Sequence, residues 1–170
     1  MKTRSLFASA LLALTCGAAN LSTTAFADDY IKLQVAVKSD NDNAKAGQQE
    51  THRKWLEVSA TAFHLPQPSQ VRIEWTFFGD DLKADKVVKN GQGSESTQLE
   101  QSKSAVIKTK PVAFTYTPRH SEKTGSGKRA KYKTIEATGT RYHGWAVRAF
   151  VGDRLAGEEY SAAALKKLLE

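Results

Sequence analysis

The chain is predicted to be all-β: an antiparallel β-sandwich closed by one short C-terminal helix. Three features lead there. About eight short segments alternate apolar and polar residues with the period of a half-buried strand, and Gly, Pro, Asn or Asp clusters separate them. Gly152-Asp153 stands between two such segments, where glycine readily takes the positive φ of a hairpin turn. Only the last ten residues carry an apolar stripe at helical spacing.

Residues 30–38 set Ile31, Leu33, Val35 and Val37 against Lys32, Gln34, Ala36 and Lys38, a strand with one dry face. Residues 39–50 are polar and read as a loop. Asp40-Asn-Asp-Asn43 has the oxygen donors of a calcium loop, but Ala44 breaks their alternation and no Glu occupies the twelfth position. Residues 53–64 form a second strand with Leu56, Val58, Ala60 and Ala62 on one side and Trp55 and Phe63 on the other. Leu65-Pro-Gln-Pro68 ends it, since proline does not belong in a sheet interior. Val71, Ile73, Trp75 and Phe77 alternate in a third strand that stops at Gly79-Asp-Asp81. A short strand over 86–89 runs into Asn90-Gly-Gln-Gly93, read as a turn. Residues 97–109 fit strand or helix, with strand favoured at 105–108, and Val112 to Thr117 is β-rich.

Residues 119–133 read as a loop with Gly125-Ser-Gly127 at its flexible centre, and 131–138 pair apolar positions imperfectly. Trp145, Val147, Ala149 and Val151 then share a face and lead into the hairpin. A two-residue loop sets Leu155 opposite Phe150 and a three-residue loop sets it opposite Val151; the choice stays open. Ser161 reads as the N-cap of the terminal helix, with Tyr160 and Leu165 as a hydrophobic staple. Leu165, Leu168 and Leu169 form the stripe that holds this helix to the sheet.

Residues 1–27 read as a secretory signal peptide. Lys2 and Arg4 precede the apolar run Leu6–Leu14, and Ala25-Phe-Ala27 offers a small-x-small cleavage site. The run is shorter than the roughly 20 residues that span a bilayer. Cys16 follows Ala13-Leu-Thr15, a poor match to a lipid-attachment signal, and no prepilin pattern is present. Residues 28–170 are therefore expected to fold as one exported domain without cysteine, in the periplasm, at the outer membrane or outside the cell. Thiol catalysis and Cys-zinc sites are excluded from that form.

The full chain carries a net charge of +7, and Arg119, Lys123, Lys128, Arg129, Lys131 and Lys133 are opposed in their window only by Glu122. These six residues are the candidate binding site, for a polyanion such as an acidic glycan or for a partner protein. The other reading of the run is a solvated connection. Nucleic acid is not expected, because Tyr132 is the window's sole stacking aromatic.

Catalytic patterns are missing. Gly125-Ser-Gly-Lys128 has Glu122 where a phosphate loop needs its first Gly and Arg129 where it needs Ser or Thr. His52, His64, His120 and His143 are scattered, and neither a nucleophile elbow nor a zincin motif occurs. Trp55, Trp75 and Trp145 sit in alternating strands and read first as core, with sugar stacking as the other use. A secreted hydrolase acting on glycans is the alternative function, with paired carboxylates drawn from Glu57, Glu74, Asp80 and Asp81.

The tail Tyr142-His-Gly-Trp-Ala-Val-Arg148, with Gly152-Asp-Arg-Leu155 and Ser161-x-x-x-Leu165, resembles small exported proteins of the Verrucomicrobia, Akkermansia among them. The resemblance covers about the last thirty residues. It implies an immunoglobulin-like sandwich similar in fold to some archaeal pilin domains, placed in the cell envelope beside pilus-like components. It supplies no catalytic residues. The expected function is thus non-enzymatic, an interaction or assembly module linked to a pilus-like system or to adhesion. Its expected partners are envelope or surface proteins, further copies of itself and acidic glycans; any membrane contact is expected to be peripheral only, and no cofactor or metal is expected.

Overall fold

The computed structural model describes residues 31–42, 47–65, 67–125 and 131–169. The expected signal peptide, Cys16 and the candidate binding residues Lys128 and Arg129 lie outside them. The described residues form ten strands: β1 (Ile31–Asn41), β2 (Glu50–Ala62), β3 (Ser69–Asp81), β4 (Lys86–Leu99), β5 (Ser104–Lys108), β6 (Val112–Thr117), β7 (His120–Thr124), β8 (Lys131–Ile135), β9 (Thr138–Val151) and β10 (Arg154–Tyr160). A 3₁₀ helix follows at Ala163–Leu168.

Eight strands join through hydrogen bonds in the order β1-β2-β6-β9-β3-β4, with β5 also on β2 and β10 also on β9, while β7 and β8 pair separately. Every pairing is antiparallel. The alternation read from the sequence is what the core uses. Leu56, Val58, Ala60 and Ala62 of β2 pack with Ile31 and Leu33 of β1, with Val71, Ile73, Trp75 and Phe77 of β3, and with Trp145, Val147 and Ala149 of β9. Phe77, Phe114 and Tyr142 meet edge to face at centroid distances of 5.4 to 6.2 Å, and the Lys54 ammonium lies 4.8 Å above the Tyr142 ring. Burial raises the Tyr142 phenol above its ordinary pKa.

The C-terminal hairpin takes the two-residue loop. Arg154 pairs with Val151 and Leu155 with Phe150, and Gly152 holds φ at 60°. A bulge between Leu155 and Gly157 then delivers Ala156 to the core.

Several expectations are corrected. The third strand runs through Gly79 to Asp81, because Asp80 and Asp81 find ladder partners in Arg141 and Thr140 of β9 and in Val87 and Lys86 of β4. The turn expected at Asn90-Gly-Gln-Gly93 is strand interior, part of a β4 that pairs with the whole length of β3. Its glycines admit neighbours instead of turning the chain: a Cβ on Gly91 would stand 2.7 Å from a Val112 methyl, and one on Gly93 2.5 Å from the Trp75 ring. The run 119–133 is not a loop throughout, since β7 and β8 pair across it.

Ser161 is not an N-cap. Its backbone N–H and its Oγ both donate to the Trp145 carbonyl, at 3.0 and 3.2 Å, and its Oγ accepts the Trp145 N–H at 2.9 Å. The serine thus continues the β10 ladder by one step, and the following turn is 3₁₀ with no side-chain cap. Leu165 is buried against Phe78 and Ala146, and Tyr160 and Leu169 pack on the same cluster, but Leu168 is 40% exposed. The expected stripe of Leu165, Leu168 and Leu169 is therefore not kept on one face, since Leu168 lies outside the cluster that takes the other two.

Candidate functional site: a basic β-ribbon

Residues 120–124 and 131–135 pair as a two-stranded ribbon whose side chains alternate between its two faces. His120, Glu122 and Thr124 alternate with Ser121 and Lys123, and the returning arm alternates Lys131, Lys133 and Ile135 with Tyr132 and Thr134. The ladder sets His120 against Ile135, Ser121 against Thr134, Glu122 against Lys133, Lys123 against Tyr132, and Thr124 against Lys131. One face therefore bears His120, Glu122, Thr124, Lys131, Lys133 and Ile135, and the other bears Ser121, Lys123, Tyr132 and Thr134.

An isolated two-stranded ribbon is marginal on its own. The base of this one is tied down at His120. The imidazole lies against the backbone of Gly47, where an added Cβ would approach its ring to 3.0 Å. Its Nδ1 faces the Pro118 carbonyl at 3.0 Å and its Nε2 faces Glu122 at 3.3 Å. Both ring nitrogens thus face acceptors, an arrangement only the imidazolium satisfies with two donors. The Pro118 carbonyl first, and Glu122 second, raise the His120 pKa. Nearer the tip, the Thr124 hydroxyl donates to the Lys131 carbonyl at 3.2 Å.

The four described candidate residues are not equivalent. Arg119 stands 3.4 Å from Glu136, just outside the basic window, and Lys133 lies directly opposite Glu122. Lys123 and Lys131 face no carboxylate across the ladder, and they project from opposite faces. Lys123, Lys131, Lys133 and Tyr132 are all exposed, Tyr132 at 73%. The ribbon therefore displays cations on two sides, with one phenol ring beside Lys123. His120 and Thr124 are the anchoring residues that composition passes over. No local pattern marks them, because both faces of β7 are polar; the contacts of His120 with Gly47 and Pro118 come from the fold.

The carboxylates of the alternative reading each have a partner of their own. Glu57 pairs with Lys38 at 3.4 Å, and Glu74 receives Arg148 at 2.9 Å together with Arg72. Asp80 binds the His143 ring at 2.6 Å and Arg141 at 3.4 Å. Asp81 accepts the backbone N–H groups of Ala84 and Lys83, each at 3.0 Å, and these bonds hold its carboxyl below the ordinary range. Asp80 and Asp81 line one shallow cleft with Asp85, Lys86 and Arg141. Among the tryptophans, Trp75 and Trp145 are buried, whereas Trp55 is half-buried on the opposite face of β2, under the Lys108 ammonium at 5.2 Å.

Among the described residues, no group of three His, Cys, Asp or Glu is placed to hold a metal ion, and no helix is long and apolar enough to cross a membrane. No protein-family model, curated protein or solved structure matches this chain.

Proposed function

We propose that the chain is an exported, non-enzymatic domain of the cell envelope that works as an interaction and assembly module, with the β7–β8 ribbon as its contact to anionic partners. In this reading the antiparallel strands form an immunoglobulin-like sandwich and the ribbon stands on it as an appendage. One observation carries the proposal. The ribbon makes no ladder with the eight-stranded sheet and none of its described residues is buried, yet it holds Lys123, Lys131, Lys133 and Tyr132 in defined directions. A strand pair that adds nothing to the core is better explained by what it presents. Acidic glycans and acidic protein surfaces fit cations spread over two faces.

Retention on immobilised heparin tests this. Exposed charges act over a Debye length of about 8 Å at physiological salt, so wild-type retention should fall steeply as salt rises. The triple substitution Lys123→Ser, Lys131→Ser, Lys133→Ser should move elution to clearly lower salt and leave the unfolding midpoint nearly unchanged. Equal elution of wild type and triple variant would overturn the ribbon as the contact.

A further inference from the structure

We propose that strand β4 is the surface through which two copies of this chain pair edge to edge, antiparallel, in a register centred on Ser94. The proposal rests on the assembly reading above and names one of its partners.

The first observation is an edge without a ladder partner, tied to β6 at Asn90, whose side-chain N–H donates to the Ala113 carbonyl at 2.9 Å. β4 is fourteen residues long and pairs only with β3, so half of its peptide groups point away from any ladder among the described residues. Edges of this kind template further strands, and proteins blunt them with charges, proline, bulges or shortness. From Gly91 to Leu99, β4 carries a single charge, Glu95, no proline and no bulge. The other edges are defended. β5 has five residues, and β1 carries Lys32, Lys38 and Asp40 and has the start of its length beside β10.

The second observation is a cleft at the same edge. About 530 Å³ opens between residues 90–95 and Lys110-Pro-Val112, with Trp75 in its lining. Trp75 is 5% exposed, and its indole N–H is buried without a partner. That group lies against Gly93, where an added Cβ would stand 3.2 Å from Nε1. Glu95 and Lys110 also line the cleft, and neither forms an ion pair within the chain among the described residues.

A second copy answers both observations at once. With Ser94 opposite Ser94 of the other copy, a two-fold axis sets Gly93 opposite Glu95, Gln92 opposite Ser96 and Gly91 opposite Thr97. Each Glu95 carboxylate then faces the other copy's cleft beside the Trp75 ring that covers Gly93, toward the Lys110 ammonium that lines it. The two Glu95 side chains do not face each other. On the outer face the facing pairs from Gln92 to Ser96 are small or neutral, so no repulsion opposes the ladder.

Sedimentation over a concentration series, combined with cysteine cross-linking in a Cys16→Ser background, tests the proposal. The wild type should dimerise reversibly. Ser94→Cys should oxidise to a covalent dimer, because directly opposed residues bring their Cβ atoms to about 4.5–5.5 Å. Ser96→Cys and Gln98→Cys, exposed on the same face, should cross-link far less. Ser94→Lys sets two ammonium groups against each other and should weaken dimerisation at least about tenfold. Glu95→Gln should weaken it as well, with circular dichroism showing the fold intact in both. A strictly monomeric wild type, a dimer indifferent to Ser94→Lys, or equal cross-linking at the three positions would each overturn the proposal. Heparin retention by the ribbon reports separately, so a monomer that still binds heparin would sink β4 pairing and leave the proposed function standing.

Discussion

The Trp75 indole lies flush on the backbone of Gly93, so close that a Cβ there would meet its Cζ2 at 2.5 Å. Trp75 and Gly93 are also direct ladder partners, and the glycine is what lets a large ring fold over the neighbouring strand. Gly93→Ala should therefore cost about 1–3 kcal/mol through overpacking, beyond any gain from reduced chain entropy. Urea unfolding followed by tryptophan fluorescence checks it. A variant as stable as wild type would show that the ring is free to shift.

Ser161 offers a test that separates two roles of one side chain. As a ladder extension, its hydroxyl satisfies the Trp145 N–H, so Ser161→Ala should cost about 1–3 kcal/mol by leaving that half-buried donor short. Asp is as good as Ser at an N-cap. Here a carboxylate would instead face the Trp145 carbonyl that the hydroxyl now donates to. Ser161→Asp should consequently be at least as damaging as Ser161→Ala. Restoration of wild-type stability by Asp would return Ser161 to the capping role.

The ribbon anchor should respond to pH with a definite sign. His120 has a raised pKa, so its contribution is fully present below the unfolded value near 6.5 and is lost as pH rises through the higher folded value. The stability difference between wild type and His120→Ala should thus be larger at pH 5.5 than at pH 8.5. Denaturation at the two pH values, with an NMR titration of the His120 ring, measures it. A pH-independent difference would mean that the two ring contacts do not hold the proton.

Asp81 should behave in the opposite sense. Its pKa is lowered, chiefly by the Ala84 and Lys83 N–H groups, so its contribution is present above the unfolded value near 3.8 and disappears as pH falls through the lower folded value. Asp81→Asn keeps an acceptor oxygen for the turn but carries no charge. Wild type should exceed Asp81→Asn in stability at pH 6, and the gap should close on acidification toward pH 2. Parallel acid unfolding curves with a constant gap would refute it.

Much of the β architecture is local information. The alternation Leu56-x-Val58-x-Ala60-x-Ala62 marks its own buried face, and Val71 to Phe77 and Trp145 to Val151 do the same, because side-chain direction in a strand depends only on parity. Gly152-Asp153 likewise marks its turn wherever the hairpin lies. What these residues do not contain is their neighbours. Whether glycine turns the chain or admits a ring depends on what stands across the ladder, so Gly91 and Gly93 are legible only once Val112 and Trp75 are placed. Ser161 has the same side chain in a cap as in a ladder, and the nearby Trp145 backbone decided between them. The basic run exposes its charge in the sequence, whereas its division between two faces follows from the β7–β8 register, a pairing across a tip that no local pattern sets. Composition and parity are properties of single residues and near neighbours; register and close approach are properties of pairs far apart in the chain, and only the folded structure brings those pairs together.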